Sequence, residues 1–134
     1  MNLLIKNAKV IDASNPELHL KKRDILLKNG KIQKIDATIA PGNKIKIIDV
    51  KNLHVSVGWF DSGVCFGEPG FEERETIANG LQTAAKSGFT DIVLHPNTHP
   101  VPDSSSDIVF LKDAGKAQVT VLHPLGSLTV KAEG

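Results

Sequence analysis

Thr90-Asp91-Ile92-Val93-Leu94 is a short, mostly apolar run of the kind that forms a buried strand. Just before it, Ile77, Leu81, Ala84 and Ala85 recur at helical spacing, and Gly88 sits where a helix ends in a left-handed residue. Downstream, Ser104-Ser105-Ser106 offers N-caps, and Asp107 falls in the first turn, where it favours the helix dipole. Ile108, Leu111 and Ala114 give this second helix its inner face, and Gly115 ends it. Gln118-Val119-Thr120-Val121-Leu122 is then another strand, closed by His123-Pro124. Upstream, Val55-Ser56-Val57-Gly58-Trp59-Phe60 reads as a third buried strand ending at Asp61, followed by a loop through Gly63, Gly67 and Glu68-Pro69-Gly70. Strand, helix, strand, helix, strand implies right-handed βαβ units and a parallel sheet, an α/β fold.

The units lie about 30 residues apart, the spacing of a (β/α)8 barrel. Such a barrel takes about 250 residues, and this chain has 134. The expectation is either a three-strand open sheet or the first three βα units of a truncated barrel. A slice of that kind is expected to expose Val57, Phe60, Ile92, Leu94, Val119 and Val121, and an open edge invites association with another copy.

Residues 1–54 carry a different pattern. Leu4 to Ile11 alternates in part, and Lys44-Ile45-Lys46-Ile47-Ile48-Asp49-Val50 alternates again. Between them, Ile25–Lys28 and Lys31–Ile35 flank Asn29-Gly30, which predicts a hairpin with a two-residue type I′ turn, both residues at positive φ. Several short strands spaced by turns suggest a small β-sandwich or half-barrel. The division expected is 1–54 for the β-sandwich part and 55–134 for the start of the barrel.

Composition narrows the function classes. Sixteen Lys and Arg against fifteen Asp and Glu leave a net charge of +1, which argues against nucleic acid as a partner. Aromatics are 4% with no Tyr, too few for a base-stacking platform. Cys65 is the single cysteine, so no intrachain disulfide forms, in keeping with a cytoplasmic setting. Met1-Asn2-Leu3-Leu4-Ile5-Lys6 meets polar residues too soon for a signal peptide. No apolar run approaches the roughly 20 residues of a membrane helix, so no membrane role is expected.

In parallel sheets the chemistry lies at the carboxyl ends of the strands. Those ends are Asp61 to Gly70, His95 to Val101, and His123 to Thr129. Cys65 reads as a small apolar residue rather than a lone ligand or reactive thiol. His95 and His99 flank Asn97 beside prolines, and His123 reads as a solvated or hydrogen-bonded loop histidine. His19 and His54 read as surface residues. Glu72-Glu73-Arg74-Glu75 is a solvated lead-in to a helix N-terminus, and Gly67-Glu68-Pro69-Gly70 is turn chemistry without the lysine of a phosphate loop.

Gly58-Trp59-Phe60-Asp61, Glu68-Pro69-Gly70-Phe71-Glu72, Glu75-Thr76-Ile77-Ala78, Ser87-Gly88-Phe89-Thr90 and Pro96-Asn97-Thr98-His99-Pro100-Val101 together resemble the N-terminal part of a dihydroorotase, of the cyclic amidohydrolase superfamily. The resemblance runs from Met1 to about Thr129. It implies a β-sandwich followed by a zinc-dependent barrel that hydrolyses or closes the ring of dihydroorotate in pyrimidine synthesis. The family's first barrel strand ends Asp-x-His-x-His, and residues two apart on a strand point the same way, so two imidazoles hold one metal. Here the stretch is Asp61-Ser62-Gly63-Val64-Cys65. Gly63 has no ligand atom, Cys65 has no partner two residues away, and the arginine that grips the substrate carboxylate is Gly67. Asn97 matches the family's substrate-contacting asparagine; Asp61 matches as well and reads as structural. The family's bridging carboxylated lysine, its two further histidines and its catalytic aspartate match nothing in this chain. No catalytic residue, no metal ligand and no bound cofactor are therefore expected.

The resemblance leaves three readings: a dihydroorotase-like amidohydrolase with a decayed metal site; a non-catalytic subunit supporting aspartate transcarbamoylase, as inactive dihydroorotase-like chains do in some bacteria; or an enzyme with a rebuilt site and another substrate.

Overall fold

The computed structural model describes residues 2–133. They form two compact units, divided between Val57 and Gly58.

The first unit holds β1 (Asn2–Ile11), β2 (Lys22–Lys28), β3 (Lys31–Asp36), β4 (Lys46–Asp49) and β5 (His54–Ser56) in one five-stranded sheet. β1, β2 and β3 are antiparallel neighbours, while β4 and β5 both run parallel to β1. The predicted hairpin is present: Lys28 pairs with Lys31, and Asn29 and Gly30 have φ of 52° and 77°. The boundary falls after Val57 rather than after residue 54. Val10 pairs with Val55 and Ile11 with Ser56, which draws 54–56 into the first sheet. The run 55–60 is therefore two strands in two units, not one.

Leu4, Ala8, Val10, Ile25 and Ile39 form the buried apolar set of this unit. Asp24 is buried with them at 1% exposure. It pairs with the Lys6 ammonium and accepts backbone N–H groups from Asn7 at 2.9 Å and Ile39 at 2.8 Å. One carboxylate thus fixes the irregularity in β1, where Asn7 has a φ of 52°, and the segment after β3. Burial alone would raise the Asp24 pKa. The Lys6 and backbone hydrogen bonds outweigh it and hold the carboxyl below its ordinary value of 3.8. Its contribution to stability is therefore full above that ordinary value and is lost as the pH falls through the lowered one. Asp24→Ala strands a lysine, the buried Ile39 N–H and the part-buried Asn7 N–H and is expected to cost about 3 kcal/mol. Denaturant unfolding at neutral pH checks this; an unchanged midpoint would refute it.

The second unit runs β6 (Trp59–Val64), α1 (Ile77–Lys86), β7 (Phe89–Leu94), α2 (Ser105–Gly115) and β8 (Val121–Pro124). The three strands are parallel in the order β6-β7-β8, as the alternating pattern predicts. The core is Ile77, Leu81, Ile92, Leu94, Leu111 and Leu122. Ile92 and Leu94 are therefore buried under the helices, not exposed as a bare slice would have them, because a strand sends alternate residues to opposite faces. Phe60 and Val121 do remain exposed, at 62% and 51%.

The helix-end signals at Gly88 and Ser104 hold, and Thr76 adds a cap that the sequence reading did not single out. Thr76 caps α1 by accepting from Asn79 N–H, and Gly88 follows the helix at a φ of 92°. Ser104 caps α2 in a reciprocal capping box with Asp107. Two local readings change. The inner face of α2 is completed by buried Gly115, where a Cβ would stand 3.1 Å from the Leu122 Cβ, while Ala114 is exposed. β8 starts at Val121 rather than Gln118: Val119 is 86% exposed, and Thr120 turns its hydroxyl to donate to the Phe89 carbonyl at 2.6 Å.

Candidate functional site

The carboxyl ends of β6, β7 and β8 lie side by side, and the loops that follow are tied to the sheet through backbone. His95 N–H donates to the Val64 carbonyl and Leu125 N–H to the Leu94 carbonyl, both at 2.9 Å. His99 N–H donates to the Pro69 carbonyl at 3.0 Å, which joins the first loop to the second.

Asp61 is half-buried and accepts the Gly63 N–H at 3.0 Å, a structural use of the carboxylate. At Gly63 a Cβ would stand 2.5 Å from His95 Nε2, and its three nearest neighbours would all be atoms of that ring. Cys65 is free and exposed. At Gly67 a Cβ would fall 1.8 Å from the Phe71 carbonyl oxygen. Asn97 is exposed on the loop after β7. Among the described residues no three His, Cys, Asp or Glu side chains are grouped to hold a metal ion. At the positions that the resemblance makes ligands, the residues present do not fit zinc: Gly63 has no side chain, its space is taken by the His95 ring, and Cys65 is a lone thiol.

The acidic stretch serves α1. Glu68 accepts the Ile77 N–H at 2.8 Å, Glu75 accepts from the Asn79 amide at 2.8 Å, and Arg74 lies 4.4 Å above the Phe71 ring. Glu72 accepts the Gly70 N–H at 2.9 Å, which holds its carboxyl below the ordinary range. His54 is exposed, as expected, but His19 is half-buried and accepts the Asp12 N–H at 3.2 Å.

One pair escaped the sequence reading. His123 Nε2 and Asp91 Oδ1 are 2.9 Å apart on the sheet face opposite the helices, and the hydrogen bonds from His123 and Thr90 lower the Asp91 pKa. Register makes the contact, since Asp91 pairs with Val121 and Val93 with His123. The repeat spacing carried this signal, because the two residues are 32 apart, about one βα unit. His123 is thus hydrogen-bonded, one of the uses expected of it.

The second unit is thus a three-stranded parallel βαβαβ sheet with histidine and asparagine at its carboxyl edge. Solved structures agree on the fold: an L-hydantoinase from Arthrobacter aurescens matches with a TM-score of 0.77 at 23% identity, over 93% of this chain and 27% of that one. A dihydroorotase structure matches with a TM-score of 0.65 at 15% identity, over 97% of this chain and 32% of that one.

The model of the family described as Dihydro-orotase-like matches residues 54–134, and the chain belongs to that family. It is similar to the dihydroorotase of Staphylococcus aureus strain MRSA252, 44% identical over 98% of this chain and 30% of that protein. The dihydroorotase of Elusimicrobium minutum is 39% identical over all of this chain and 31% of that protein. The chain thus spans about three tenths of the length of these relatives.

Proposed function

We propose that the chain is a cytoplasmic, dihydroorotase-like cyclic amidohydrolase of pyrimidine biosynthesis whose metal centre is lost and whose catalysis is impaired. In this reading the first sheet is part of a β-sandwich and the second unit is the start of a (β/α)8 barrel. Asn97 is the one matched position left to contact substrate. The observation that carries the reading is Gly63 with the His95 ring over it, where the family has a ligand imidazole. Elemental analysis of protein purified without chelator tests it. Less than one equivalent of zinc per chain is expected, and two equivalents would overturn the proposal.

A second reading, a non-catalytic subunit that self-associates or supports aspartate transcarbamoylase, draws on a separate observation. Phe60 and Val121 are more than half exposed on the sheet face opposite the helices, and both flank Asp91 in register. An apolar face and an open strand edge favour a covering partner. Light scattering is expected to report a species larger than 14.4 kDa. A monodisperse 14.4 kDa particle that also fails to retain a transcarbamoylase would exclude this reading.

A further inference from the structure

We infer that Gly63 and His95 are a coupled pair: the His95 imidazole, carried at the end of β7, fills the space on β6 that any side chain at position 63 would need. For its functional meaning the inference rests on the proposed loss of the metal centre; the packing itself stands apart from that.

Three observations carry it. Gly63 lies within β6 and its φ is outside the left-handed region, so the backbone would accept an ordinary residue there. The obstacle to a Cβ is the His95 ring, with Nε2 at 2.5 Å, Cδ2 at 3.2 Å and Cε1 at 3.5 Å. The His95 backbone is itself tethered to β6 through its N–H to the Val64 carbonyl at 2.9 Å, so the ring is presented to this strand by the sheet. The loss of a side chain at 63 and the presence of a ring at 95 are thus one packing arrangement seen from two strands. The His95 ring, itself exposed, covers position 63. A histidine restored at 63 meets that ring before it meets anything else.

The pair predicts a change of sign. A glycine in a strand with an acceptable φ ordinarily gains stability on conversion to alanine, because the unfolded chain loses freedom. In the parent protein Gly63→Ala must turn the exposed His95 ring out of its rotamer and is expected to lower Tm slightly. In the His95→Ala background the same substitution is expected to raise Tm by roughly 3 °C. Thermal unfolding of the 134-residue parent, both single variants and the double variant measures this. NMR supplies a readout that survives a variant failing to fold. In His95→Ala alone, the Gly63 Hα resonances should move more than those of the other glycines, because the ring current above them is gone. Equal Tm changes in the two backgrounds, or a Gly63 signal that stays in place, would overturn the pairing. Zinc bound by the parent and released by His95→Ala would also overturn it, since the ring would then be a ligand rather than a filler. Turnover of dihydroorotate by the parent would instead count against the proposed impairment and leave the sign change intact.

Discussion

Purified protein supplied with zinc is expected to turn over dihydroorotate no faster than zinc in buffer. Amide hydrolysis in a metal-dependent site depends on a bound water of lowered pKa and on a polarised carbonyl. In the proposed reading neither is available, because Gly63 offers no side chain and Cys65 is a lone thiol. In the same reading a substrate carboxylate finds no charge-assisted clamp at Gly67, which has no side chain. Enzymes gain roughly a million-fold or more over the uncatalysed reaction, and removing water activation and substrate clamping together is expected to forfeit essentially all of it. Gly63→His alone should restore nothing. The new imidazole would collide with His95, and the other two positions would remain as they are. The measurement is loss of dihydroorotate against a no-enzyme control, in parent and variant. A protein-dependent rate in the parent would show that other groups have rebuilt the site, the third of the readings the sequence allowed.

The parts of this fold that the sequence announced are those set by neighbours in the chain. Asn29-Gly30 dictates its own turn, and Ser104 with Asp107, and Gly88, mark helix ends through bonds that span three or four residues. The apolar spacing of Ile77 and Leu81, and of Ile92 and Leu94, was enough to give the βαβ order and the buried core. What stayed hidden depends on partners far apart. Whether Val55 belongs to one unit or the next is decided by Val10, 45 positions earlier, because β5 pairs with β1. Asp24 looks like any strand-edge acid until Lys6, Asn7 and Ile39 are seen to converge on it. At the candidate site Gly63, Cys65 and Gly67 are legible as departures from the motif the chain resembles. Their consequences are not, because a missing Cβ is visible in sequence while the atom that has moved into its place is not. The place of His95 beside Pro96 and Asn97 does not announce that its ring packs onto the adjacent strand.

Gly67→Ala is expected to damage the second unit severely. Gly67 is buried, its N–H donates to the Glu75 carbonyl at 2.9 Å, and its own carbonyl accepts the Phe71 N–H at 2.8 Å. The loop from β6 to α1 therefore closes twice on this residue. A Cβ would lie 1.8 Å from the Phe71 carbonyl oxygen, 2.6 Å from its carbon and 3.2 Å from the Glu75 carbonyl oxygen. All three are backbone atoms, so no rotamer change relieves the overlap, in contrast to position 63, where the obstacle is the end of a side chain. The loop must open, with loss of both hydrogen bonds and of the approach that lets Glu68 cap α1 at Ile77. The combined cost is about 4 kcal/mol, which for a unit of this size lowers Tm by roughly 20 °C. Gly126→Ala is the control: its Cβ would meet the Ile108 Cδ1 at 3.6 Å, an ordinary contact, and Tm should hold within a few degrees. Gly67→Ala melting alongside that control would show that the loop yields freely. The same geometry bears on function, because Gly67→Arg must place a Cβ at the same point. The arginine clamp of the family cannot return to this backbone by a single substitution; the turn from Gly67 to Phe71 would have to be rebuilt first, and the melting temperatures of Gly67→Ala and Gly67→Arg should therefore fall together.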